Sequence, residues 1–154
     1  MVSVNVEQLR DEAVLSINSS IAYLKDQFSE YRPLFSQPNR GGVRVRAESE
    51  KSIIDFQWDY RDKHHILLGP RMAYDCRELL SKQGVEIKEP RLYGIGTLVQ
   101  FGGRRHPYIE FRKDPLIGVN ALIEWVPEFV SGDWSRQSKL ELMIQNEIDK
   151  RKAH

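Results

Sequence analysis

Ile54-Asp-Phe-Gln-Trp-Asp-Tyr-Arg61 alternates apolar and polar residues without a break. A period of two sends Ile54, Phe56, Trp58 and Tyr60 to one face of a β-strand and Asp55, Gln57, Asp59 and Arg61 to the other. One apolar and one polar face predict a strand in an antiparallel sheet, covered on one side. Just upstream, Val43 and Val45 alternate with Arg44 and Arg46, and the polar run 48–51 reads as the turn between two strands. Downstream, residues 62–65 read as a turn and Ile66-Leu-Leu68 as a third short strand.

Outside this hairpin block the period changes. Leu9, Ala13, Ile17, Ile21, Leu24, Phe28 and Tyr31 recur at steps of three and four, which predicts a long amphipathic helix. Asn5 can cap it, with Gln8 placed as in a capping box. Pro33 and Pro38 stop the helix, and the composition of 36–42 predicts a loop. Gly69-Pro70 opens a central helix with Met72, Ala73, Cys76, Leu79 and Leu80 on its apolar stripe and Gly84 as its cap. Val85 and Ile87 suggest a short strand ended by Pro90.

Residues 92–101 and 104–112 around Gly102-Gly103 predict a second hairpin. With Gly103 left-handed, Tyr93, Ile95 and Val99 share a face with Pro107, Ile109 and Phe111, while Leu98, Tyr108 and Glu110 face away. Asp114-Pro115 then starts a helix that Pro127 breaks, and a last helix carries Leu140, Met143, Ile144 and Ile148. Helices alternating with antiparallel hairpins predict an α+β fold. Its hairpin-built sheet is packed by the long N-terminal helix, the central helix and the C-terminal helices. The 154 residues fit one domain, 1–154.

Composition narrows the functional classes. Hydrophobic residues make up 40% and charged residues 29%, ordinary proportions for a globular protein. The formal charge of +1 gives no global signal for nucleic acid. The single cysteine, Cys76, cannot form an internal disulfide and suits a reducing, cytoplasmic setting. No stretch approaches the roughly 18–20 apolar residues of a membrane span, and the N-terminus does not read as a secretory signal.

Several groups of residues could carry chemistry. Asp55, Gln57 and Asp59 share a strand face, but Asp55 and Asp59 stand ~13 Å apart along it, too far to grip one metal ion, so a solvated sheet face is expected. Two basic loops, one with Arg40, Arg44 and Arg46 and the other with Arg104, Arg105 and His106, would form a cationic patch if adjacent. Tyr108 and Tyr93 could add stacking for exposed bases. Histidines 64 and 65 sit in the expected turn without metal-ligand spacing. Gly94-Ile-Gly96 lies inside an expected strand and is no dinucleotide fingerprint. Trp125, Phe129 and Trp134 cluster around Pro127 and are of the type that anchors protein interfaces.

Glu86-Ile-Lys88 resembles the Glu-x-Lys element of metal-dependent nucleases, which implies an upstream carboxylate such as Asp55 or Asp59 on a neighbouring strand. The order of elements is similar to that of small homodimeric secretion chaperones, in topology alone. Three expectations follow. The first is a non-catalytic binding protein (inhibitor, immunity-type factor, chaperone or adaptor) with a protein partner or a second copy of itself. The second is nucleic-acid or nucleotide binding through the basic loops. The third is a small metal-dependent phosphodiesterase using Asp55, Asp59, Glu86, Lys88 or His106. No cofactor and no metal site is expected, and catalysis ranks below binding.

Overall fold

The computed structural model describes residues 5–39, 42–71, 82–84, 92–104 and 110–152, the side chains of 34–39 and 110 excepted. The chain order is α1 (Val6–Gln27), β1 (Arg32–Asn39), β2 (Gly42–Glu48), β3 (Ser52–Asp59), β4 (Lys63–Pro70), β5 (Tyr93–Gly94), α2 (Ile95–Phe101), a 3-10 turn (Glu110–Arg112), α3 (Pro115–Trp125), α4 (Pro127–Ser131) and α5 (Gln137–Lys152). The five strands form one antiparallel sheet in sequence order. The expected α+β class and its N-terminal helix are what the molecule has. The central helix expected after Pro70 and the strand at 85–87 fall outside the described residues. Among the described residues, no helix is long and apolar enough to cross a membrane.

Register explains the core. Val43, Val45 and Ala47 pair with Trp58, Phe56 and Ile54, which pair in turn with His64, Ile66 and Leu68. These rows share one face, and Ile17, Ile21 and Leu24 of α1 join the same buried cluster, as do Val119 and Leu122 of α3. Asn5 caps α1 by accepting the Gln8 N–H, as its sequence predicts. The helix ends at Gln27, short of Tyr31, whose hydroxyl instead donates to the Val130 carbonyl. Burial pushes that phenol up to about 12.

Three segments depart from the sequence reading. Residues 36–39, expected in a loop, continue β1, which starts at Arg32. Pro33 and Pro38 tolerate this because β1 is an edge strand among the described residues, where a proline at an outward-facing position breaks no ladder bond. The β3–β4 turn is 60–62, so His64 and His65 belong to β4 and point to opposite faces. Asp59 builds this turn by accepting the N–H groups of Arg61 and Asp62.

The third departure is the second hairpin. Among the described residues of this segment, only Tyr93 and Gly94 pair with β4; residues 95–101 are helical. Ile95, Leu98 and Val99 are spaced three and four apart, so they bury one helical stripe as well as they would fill a strand. Gly103 is left-handed as expected, yet it closes a helix. Its N–H donates to Gln100 and that of Arg104 to Val99, the pair of bonds that defines a Schellman end.

Candidate functional site

The sheet face opposite α1 is polar but only partly wet. Its rows run Glu48–Ile53–Gly69, Arg46–Asp55–Leu67 and Arg44–Gln57–His65 across β2, β3 and β4. Ile53, Asp55 and Arg46 are buried, whereas Gln57, His65 and Asp59 are half-buried. The expectation of a solvated face therefore holds at one end only.

Two carboxylates organise the covered end, each shared by two arginines. Asp55 Oδ2 accepts from Arg44 Nε at 2.8 Å, from Arg44 Nη2 at 2.5 Å and from Arg46 Nη2 at 3.2 Å. Glu48 pairs with Arg32 at 3.2 Å and with Arg71 at 3.7 Å. Burial strips Asp55 of water, and guanidinium donors take the place of the lost hydration. Asp55 Oδ1 is buried with no hydrogen-bond partner among the described residues.

The open end is a groove of about 340 Å³ lined by Gly42, Val43, Arg44, Gln57, Trp58, Asp59 and His65. Gly42 is needed at its rim, since a Cβ there would sit 2.5 Å from the Trp58 carbonyl oxygen. The side chain of Arg44 is 37% exposed and is held in place from behind by Asp55. Gln57 stands directly opposite both Arg44 and His65. Cross-strand neighbours on one face have Cβ atoms roughly 5 Å apart, so the three side chains form one line across the sheet. Neither Gln57 nor His65 has a hydrogen-bond partner among the described residues. The turn N–H groups of Asp62 and Arg61 hold the Asp59 carboxyl below its usual range, so it is anionic at the rim.

The residues expected to bind are placed unevenly. Arg44 and Arg46 lie in consecutive rows and share Asp55. Arg104 belongs to the C-terminal cap of α2, and Arg40, Arg105, His106 and Tyr108 fall outside the described residues, so the pairing of the two basic loops does too. Of the carboxylates considered for a metal, Asp55 is the counter-ion of Arg44 and Arg46, and Glu86 and Lys88 are outside the described residues. Among the described residues, no group of three or more His, Cys, Asp or Glu side chains could hold a metal ion.

The aromatic trio lies on the other face. Phe129 is fully buried, stacked between Phe101 at 5.7 Å and Trp134 at 4.5 Å, and Trp134 stacks in turn on Tyr93 at 6.1 Å. Trp134 Nε1 donates to Ser52 Oγ, which donates to the Phe129 carbonyl. The Trp125 backbone and Cβ crowd Gly102. This column pins the C-terminal segment to the sheet. His65 is the groove residue the sequence concealed; an alternating strand beginning at Lys63 rather than Ile66 would have revealed it opposite Gln57.

Fold and groove together define an α+β protein with a half-open polar sheet face. Comparison with protein-family models, with curated proteins and with solved structures finds no match to this chain.

Proposed function

We propose that this chain is a non-catalytic binding protein whose recognition surface is the open end of the polar sheet face, and that its partner is another protein. The observation that carries the reading is the line Arg44–Gln57–His65. These side chains come from three strands, face a groove, and in Gln57 and His65 carry hydrogen-bonding ends with no partner among the described residues. Rigid strands suit this role because they present such groups without ordering a loop.

A protein partner is favoured over a nucleic acid by the rim. Asp59 sets a carboxylate beside Arg44, and mixed charge opposes a phosphate backbone, which wants basic groups of one sign. The single cysteine supports a reducing compartment such as the cytoplasm.

Native mass spectrometry of the gently purified protein tests it. The expected result is a defined protein adduct, a second copy included, that is lost in His65→Glu while the variant stays folded. A retained nucleotide or oligonucleotide would overturn the reading in favour of the basic residues as a nucleic-acid site.

A further inference from the structure

We propose that the corner where the 3-10 turn runs into α3 is an acid-sensitive latch, shut over β4 while His64 is neutral and released when that imidazole takes up a proton. The latch lies on the core face and is independent of the groove. His64 is 6% exposed there, and its Nδ1 is buried with no hydrogen-bond partner among the described residues. An imidazolium donates from both ring nitrogens, so a site that leaves one of them buried and unanswered favours the neutral ring.

The layer that covers this face of β4 is α3 and its approach. Two residues along from His64, Ile66 lies so close beneath α3 that a Cβ on Gly118 would fall 2.5 Å from Ile66 Cδ1 and 3.2 Å from Phe111 Cβ. Phe111 and Val119 belong to the same buried cluster as Ile66. On the sheet side, β3 sets Trp58 opposite His64, while the chain neighbours Lys63 and His65 point to the other face. Loss of water holds the ring down at about 4; among the described residues, Asp114 pulls the other way and His65 adds to the lowering. Asp114 is committed to the cap of α3, where its Oδ1 accepts the Leu116 N–H at 3.0 Å, and Arg112 and Lys113 beside it are exposed. When the corner lifts, His64 meets water and titrates near its ordinary value of about 6.5. Lifting is therefore insensitive to pH above about 6.5, becomes easier as pH falls below it, and levels off below about 4. The lifted state uncovers Ile66, Phe111 and Val119, an apolar surface that is closed at neutral pH.

Native-state hydrogen exchange of the whole chain at pH 7.5 and pH 5, corrected for the intrinsic exchange rates, tests the latch. At pH 7.5 the amides of Val119 and Leu122 in α3 should be less protected than those of Ile54 and Phe56 in β3, because the corner opens without the sheet. At pH 5 the protection of the α3 amides should be lower by about thirtyfold, the ratio that a ring titrating near 6.5 when open and about 4 when closed sets. His64→Gln should abolish that drop, and His65→Gln should leave it in place. Equal protection of the α3 and β3 amides at both pH values would mean that α3 opens only with the whole molecule and would overturn the proposal. So would α3 protection that ignores pH, or a drop that persists in His64→Gln. The parent alone decides should His64→Gln fail to fold: a His64 ring that titrates near 6.5 in the folded protein, followed by NMR, leaves no latch.

Discussion

His64 and His65 are neighbours in sequence with opposite fates. His65 lines the groove, while His64 is buried opposite Trp58 on the core face, and burial holds its imidazole down at about 4. A histidine whose folded value lies below its unfolded value stabilises the fold fully above about 6.5, and that contribution is lost as pH falls towards 4. Between pH 7.5 and pH 5 the protein should therefore lose about 2 kcal/mol from this group, measurable by urea unfolding at both pH values. His64→Gln should flatten the difference; an unchanged pH dependence would show that His64 is not its source. Lys63, next to this pair, has a left-handed φ of 63°, and its ammonium sits 5.1 Å from the centre of the Tyr60 ring. Glycine relieves the backbone cost of roughly 1–2 kcal/mol and forfeits a weak cation–π contact. Lys63→Gly should thus raise stability, by up to about 1 kcal/mol. Asp55 carries a larger stake, because Arg44 and Arg46 converge on a carboxylate that is fully buried. Asp55→Ala should cost about 3–5 kcal/mol, as removal of one member of a buried ionic group does. The sequence offers Asp55 as a metal ligand or a wet residue; the alternation reveals its face but not its burial, which depends on parts of the chain distant in sequence.

At the level of elements, hydrophobic period was a good guide wherever a segment was long. The 22-residue α1 and the caps at Asn5 and Asp114 follow directly from spacing and capping chemistry. The seven-residue α2 was not legible in the same way, because Ile95, Leu98 and Val99 fit a short strand or two helical turns, and Gly102-Gly103 suits a hairpin or a helix end. Contact with Trp125 decides it. A Cβ on Gly102 would lie 2.3 Å from the Trp125 carbonyl oxygen, so α2 and α3 meet through a residue that has to be glycine. On the β3 side, Ser52 joins α4 to the sheet by donating to Phe129 while accepting from Trp134. Ser52→Ala should cost about 1–3 kcal/mol, since it strands a carbonyl and an indole N–H together. Thermal unfolding of that variant checks the claim, and a melting curve that overlays the parent would show that the aromatic column alone holds the C-terminal segment.

Across the whole molecule, the sheet is asymmetric. One face and most of the other are covered, β1 forms one edge among the described residues, and the polar groove opens at the end where β2, β3 and β4 expose Arg44, Gln57 and His65. Pro33 and Pro38 put two residues without an N–H into the edge strand β1, which blunts strand-to-strand addition. Replacing both with valine should shift the protein towards larger assemblies in sedimentation velocity at matched concentration; an unchanged distribution would indicate that the edge is protected by other means. The α+β architecture was readable from the order of periodic segments, whereas the groove was not. Its three side chains lie in three different strands, and only the register, set by turns at 49–51 and 60–62, lines them up. The most direct test of that line is site-specific photo-crosslinking in cells from position 57, with position 142, an exposed site on α5, as the control. The account predicts one discrete protein product from position 57 that disappears with His65→Glu and does not form from position 142. The same products from both positions, or a nucleic-acid adduct at position 57, would contradict it.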